Sequence, residues 1–130
     1  MTGKPWPHIL IVCLFLTACS GRAQAGMIGD PQMGKALFDQ TTIREAPACS
    51  TCHSVTPDQV IVGPSLAGIA VRAGERLSGV SPEDYLRQSI TNPNEYIVDG
   101  FSPGVMYPDF RKALTEDEIN NLIAYLLTLQ

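Results

Sequence analysis

Cys49-Ser50-Thr51-Cys52-His53 decides how the rest of this 130-residue chain is read. Two thiols separated by two residues and followed at once by an imidazole form C-x-x-C-H, the attachment pattern of haem c. The two thiols add across the vinyl groups of haem, and the intervening residues let both sulfurs reach one porphyrin edge. The histidine then turns its ring onto the iron from the same side. Two other chemistries use a C-x-x-C pair. Zinc needs two further Cys or His ligands, yet the second histidine, His8, lies in an N-terminal segment that reads as an export signal. A thioredoxin-like redox pair belongs to a βαβ pattern, and no period-2 alternation here is long enough for a sheet. The expected cofactor is one covalent haem c on Cys49 and Cys52, with His53 as an iron ligand.

Working outward to the N-terminus, Lys4 gives a small positive start, Ile9 to Leu16 is unbroken and apolar, and small residues follow at Thr17, Ala18 and Cys19. That is the layout of an export signal. A membrane-spanning helix needs about 20 apolar residues, whereas Ser20, Gly21 and Arg22 interrupt this run. Two cleavage sites and an uncut anchor remain open. Leu16-Thr17-Ala18-Cys19 resembles the lipobox of bacterial lipoproteins, which would acylate Cys19 and make it the new N-terminus; Ala23-Gln24-Ala25 is an A-x-A site that would release a soluble protein. The first is preferred. It divides the chain into a lipoprotein signal peptide over 1–18, a lipidated N-terminus and flexible tether over 19–29, and one domain over 30–130. The location expected is the periplasm or the outer face of the cell membrane, with the chain lipid-anchored through Cys19.

The cysteines are then accounted for without a disulfide: Cys13 leaves with the signal, Cys19 takes lipid, and Cys49 and Cys52 remain as a pair. Composition fits one globular domain, with 45% hydrophobic residues and a net charge of −4. Loss of Lys4 with the signal leaves 8 basic against 13 acidic residues, or −5. An acidic surface argues against nucleic acid and for partners with basic patches.

Helix signals bracket the motif on both sides. Asp30-Pro31 reads as an N-cap with proline at the first helical position, leading into Met33, Gly34, Leu37 and Phe38. Gly34, one turn before Phe38, is either a notch for a crossing helix or a glycine merely tolerated. Asp39 to Ala48 and Thr56 to Leu66 read as loops, and Leu66 to Arg72 as a short helix that Gly74 and Gly79 break. Ser81-Pro82-Glu83-Asp84 opens a helix running to Ile90 or Thr91, where Pro93 stops it. Asn92 to Arg111 carries five Pro or Gly residues yet also Tyr96, Ile97, Val98, Phe101, Met106 and Phe110, so it reads as a loop whose apolar side covers a bound group. Thr115 and Glu118 form a capping box for a last helix with Ile119, Leu122, Ile123, Leu126 and Leu129 on one stripe. The expected fold is all-α.

A second axial ligand for the iron would come from Met27, Met33 or Met106 if it is a thioether. Met106 is the choice, because the other two precede the attachment site while Met106 sits in the apolar loop. A methionine there is otherwise a core gap-filler. Histidine and thioether together would close both axial positions and raise the reduction potential, which suits electron transfer.

The chain resembles the class I cytochromes c from about Asp30 to Leu129. In that family a first helix with the pattern of Gly34 and Phe38 crosses the last helix at positions matching Leu122 and Tyr125. Gly63-Pro64-Ser65-Leu66 is similar to the family's Gly-Pro-x-Leu segment, which implies that the Pro64 carbonyl accepts a hydrogen bond from the proximal histidine. The family's methionine motif maps onto Met106, although here Tyr107 separates it from Pro108, where the family places proline directly after the methionine. The run Tyr85-Leu86-Arg87-Gln88-Ser89-Ile90, then Asn92-Pro93, Ile97-Val98 and Gly100-Phe101, is similar to haem domains of respiratory complexes: the domain fused to some cytochrome oxidase subunits, and the small lipoprotein cytochrome of alternative complex III. The resemblance implies a one-electron carrier serving redox protein partners in a membrane electron-transfer complex. The competing class is a haem enzyme or gas sensor with an open iron position, which would need distal acid/base groups; the exported chain offers no second histidine for that work.

Overall fold

In a computed structural model that describes Met1 and residues 28–130, the first and last helices cross each other and everything else hangs on that crossing. Helix α1, Pro31–Phe38, starts where the Asp30 carboxylate accepts from the backbone N–H groups of Gln32 and Met33. Helix α5, Glu116–Leu126, opens with the reciprocal capping box of Thr115 and Glu118. The two pack without side chains between them at Gly34, where an added Cβ would lie 1.9 Å from the Asn121 carbonyl oxygen and 2.9 Å from the Tyr125 Cβ. Phe38 and Tyr125 then meet edge to face, 5.3 Å between ring centroids, and the Asp30 N–H donates to Asn121 Oδ1 at 2.7 Å. Gly34 is therefore the notch, not a tolerated glycine.

Helix α3, Pro82–Thr91, is capped by the Ser81 hydroxyl and stops short of Pro93, as its sequence signals require. It buries Tyr85, Leu86 and Ile90. These join Phe38, Ile119, Leu122, Ile123 and Leu126 in one core.

Three local expectations differ from the structure. Helix α2 covers Ile69–Arg76 rather than 66–72. Gly68 precedes it with φ +67, a left-handed geometry that delays the start, while Gly74 lies inside it. A mid-helix glycine costs only about 1 kcal/mol, and the bare Gly74 backbone leaves room for Pro82, whose Cγ would be 3.3 Å from a Cβ. The stretch read as loop before the motif contains a small antiparallel ribbon, β1 Thr42–Ile43 and β2 Ala46–Pro47. Two residues per strand are too few for alternation to register in a sequence. The ribbon is pinned by Arg44, which donates to the Ala113 carbonyl and to Glu118. The loop after Pro93 ends in one turn of helix α4, Phe110–Ala113.

Candidate haem site

The motif occupies a single 3₁₀ turn, Cys49–Thr51, that continues through Cys52 and His53. The N–H groups of Cys52 and His53 both donate to the Cys49 carbonyl, at 3.1 and 2.9 Å. The tight turn brings the two sulfur-bearing residues and the imidazole to one side of the backbone. The loop that follows returns along the motif: the N–H groups of Val62 and Gly63 donate to the Cys52 carbonyl at 3.1 and 2.9 Å. This fold-back lays Gly63 under the His53 ring, where an added Cβ would sit 2.3 Å from Cε1. It also sets the Pro64 carbonyl 2.8 Å from His53 Nδ1.

Cys49, Cys52, His53, Val62, Gly63 and Pro64 open onto one cavity of about 500 Å³, a size in the range of cofactor pockets, about 300–1,000 Å³. Cys49, Cys52, His53 and Pro64 line one part of it. Tyr96, Ile97, Val98, Phe101 and Met106 come from the loop over 92–109, and Leu122 and Leu126 from α5. The apolar side of that loop thus faces the motif. Met106 is half-buried and on the cavity, whereas Met33 is exposed on α1. Met27 and Cys19, with the whole export segment, lie outside the described residues. Tyr107 also lines the cavity and stacks edge to face on Phe110, 5.1 Å between centroids. The residue that separates Met106 from Pro108 is anchored in the core by that ring contact.

The electrostatics fit a covalently held haem. Burial holds the His53 imidazole below its ordinary pKa of 6.5, against the opposing pull of the Pro64 backbone bond, so at neutral pH the ring is neutral, the form that ligates a metal. With Nδ1 donating to Pro64, Nε2 is left as the lone-pair nitrogen. Burial pushes the Cys49 thiol up to about 11. Zinc-binding and thioredoxin-type cysteines need the opposite, a stabilised thiolate, while a thioether sulfur carries no charge. Among the described residues no three His, Cys, Asp or Glu side chains gather into a metal-binding group. Arg76, on the cavity wall, has a buried Nε without a hydrogen-bond partner; haem carries two carboxylates, the complement such a donor requires.

Gly63, Arg72 and Arg76 were not legible as site residues from local sequence. The available hints were a glycine directly before Pro64 and two arginines one turn apart on helix α2. A short helical domain whose apolar core opens onto a C-x-x-C-H turn is a covalent haem-binding domain. The chain matches the family model described as Cytochrome c over residues 31–130 and belongs to the cytochrome c family. Nothing among curated proteins matches it. Its cofactor is covalently bound haem c and its role is electron transfer.

Proposed function

We propose that this electron carrier is exported, tethered to the outer face of the cell membrane by lipid on Cys19, and works in a respiratory or photosynthetic chain as a subunit or close partner of a quinol-oxidising complex. In this reading Cys49 and Cys52 would hold the haem through thioether bonds, and His53 and Met106 would be the residues offered to its iron. The observation that carries the site assignment is the shared cavity, with the attachment turn, the Pro64-bonded imidazole and Met106 all on its wall. Bound haem supplies an iron that changes oxidation state by one electron. The chain's own part is to keep His53 neutral and oriented, to offer the Met106 thioether from the loop over 92–109, and to exclude water with Leu86, Leu122, Leu126 and Phe101. With both residues on the iron, the potential would be raised and little would need to rearrange on electron transfer.

Optical spectroscopy tests the ligand set. The ferric protein should show the weak long-wavelength sulfur-to-iron band, the ferrous protein should resist carbon monoxide, and Met106→Ala should lower the potential and admit carbon monoxide. Ready carbon monoxide binding by the natural protein, without that band, would make it a haem enzyme or gas sensor instead. Intact mass of the mature chain tests the tether: an acylated Cys19 supports it, and a start at Gly26 overturns it. Co-purification from membranes with quinol-oxidising activity tests the partner.

A further inference from the structure

The loop over 92–109 that carries Met106 is exposed along its outer arm, residues 102–105. From Ser102 to Met106 a single hydrogen bond, among the described residues, ties this arm to the rest of the chain: the Gly104 N–H donates to Asn94 Oδ1 at 2.7 Å. Gly104 stands in the left-handed region, φ +76, and nothing lies within 4 Å of a Cβ there, so no packing holds it. Asn94 is the fixed end of the bond. It directly follows Pro93, which is buried, and α3 is closed just before that by the Asn92 N–H on the Gln88 carbonyl at 2.7 Å. Two residues later Tyr96 meets Tyr85 of the core edge to face, 5.9 Å between ring centroids. On the other side of Met106, Tyr107 is held by the ring of Phe110. Met106 is thus suspended between an aromatic contact one residue after it and the Asn94 bond two residues before it.

Resting on the reading of Met106 as the second axial ligand, we propose that Asn94 is a positioning residue: its carboxamide oxygen clasps the Gly104 N–H and holds the outer arm closed, so that the Met106 thioether stays on the cavity. A thioether sulfur carries no charge and is not drawn to a metal from a distance, so how long it stays depends on how often its arm swings away. Loops open locally with free energies well below that of global unfolding, and an arm with one such bond opens by breaking it. Asn94→Ala and the near-isosteric Asn94→Leu remove the acceptor. Asn94→Asp keeps it, because a carboxylate oxygen accepts where the amide oxygen did. A bond that served only general stability would lower the melting temperature of the Ala and Leu variants and change nothing at the iron.

The test uses the full chain with its haem, attachment being verified by intact mass. Ferric protein is titrated with imidazole, a small competing ligand, and the loss of the long-wavelength sulfur-to-iron band is read at each addition. Asn94→Ala and Asn94→Leu should reach half-loss at about fivefold lower imidazole than the natural protein, the factor set by one net hydrogen bond, while Asn94→Asp should follow the natural protein. Asn94 is exposed, so these changes leave the core intact, and two replacements of different size keep the question answerable if one does not fold. An unchanged midpoint in the folded, haem-loaded Ala and Leu variants overturns the role of Asn94 alone, and so does an equal shift in Asn94→Asp. A natural protein without the sulfur-to-iron band overturns Met106 as a ligand and this role together.

Discussion

Replacing Gly63 by alanine should cost this protein both stability and the integrity of its iron site, and the size of the effect follows from the contact under the His53 ring. An alanine Cβ would stand 2.3 Å from Cε1, 2.8 Å from Nδ1 and 2.9 Å from Nε2, where ordinary contact begins near 3.4 Å. The ring must retreat by about 1.1 Å, the difference between 3.4 and 2.3 Å. That retreat, away from the face the Cβ presses on, pulls Nδ1 off the line of its 2.8 Å bond to the Pro64 carbonyl and weakens it. Weakening the bond costs up to about 1 kcal/mol, and overpacking adds about 1–3 kcal/mol. Reduced freedom of the unfolded chain returns about 0.4–1 kcal/mol, leaving a net loss of about 2 kcal/mol. In a domain of this size that lowers the melting temperature by roughly 8–16 °C. Gly63 is not one of the left-handed glycines, so the backbone accepts alanine and the effect isolates the ring. Gly79→Ala is the converse control: its φ is +78 but nothing lies within 4 Å of its Cβ, so it should lose about 1 kcal/mol from backbone strain with no spectral change. Both are measured by thermal melts of haem-loaded protein and by carbon monoxide binding to the ferrous form. A Gly63→Ala protein within about 0.5 kcal/mol of the natural one, and equally resistant to carbon monoxide, would refute the reasoning.

Gly34→Ala puts a Cβ 1.9 Å from a backbone oxygen of α5, and because neither backbone can swing aside, α1 must lift; a loss of about 3 kcal/mol or more is expected, and an unchanged melting temperature would show that the helices do not cross there. Cys49→Ala with Cys52→Ala removes the thioether anchors and leaves the apolar cavity walls, among them Leu86, Leu122, Leu126 and Phe101, without covalent haem against them. A small domain holds only about 5–15 kcal/mol of stability, so circular dichroism should show a markedly lower melting temperature; a melt like that of the natural protein contradicts it. The lowered pKa of His53 means the unfolded chain binds more protons than the folded one just below pH 6.5, so stability rises with pH across that window and is lost as pH falls through the lowered folded value. The optical spectrum should therefore hold at pH 6.5 and change only on further acidification; a transition centred at 6.5 would show an unshifted, unliganded imidazole.

The sequence by itself determined what depends on neighbours within about four residues. The C-x-x-C-H turn, the Asp30, Ser81 and Thr115 caps, the stop at Pro93 and the stripe of α5 are local chemistry, and each is where its residues put it. The apolar loop over 92–109 was legible as a cover because so many breakers with so many large apolar residues leave few alternatives. What stayed illegible was short or remote: a ribbon with two residues per strand, a single turn of α4, and a helix start set by the left-handed Gly68. Only the tertiary structure decided that Gly34 is a crossing point, that Gly63 is bare because His53 lies over it, and that Asn94 meets Gly104 across the loop. Steric exclusion and hydrogen-bond geometry act between atoms in space, and the chain brings residues 34 and 121, or 53 and 63, together only once it is folded.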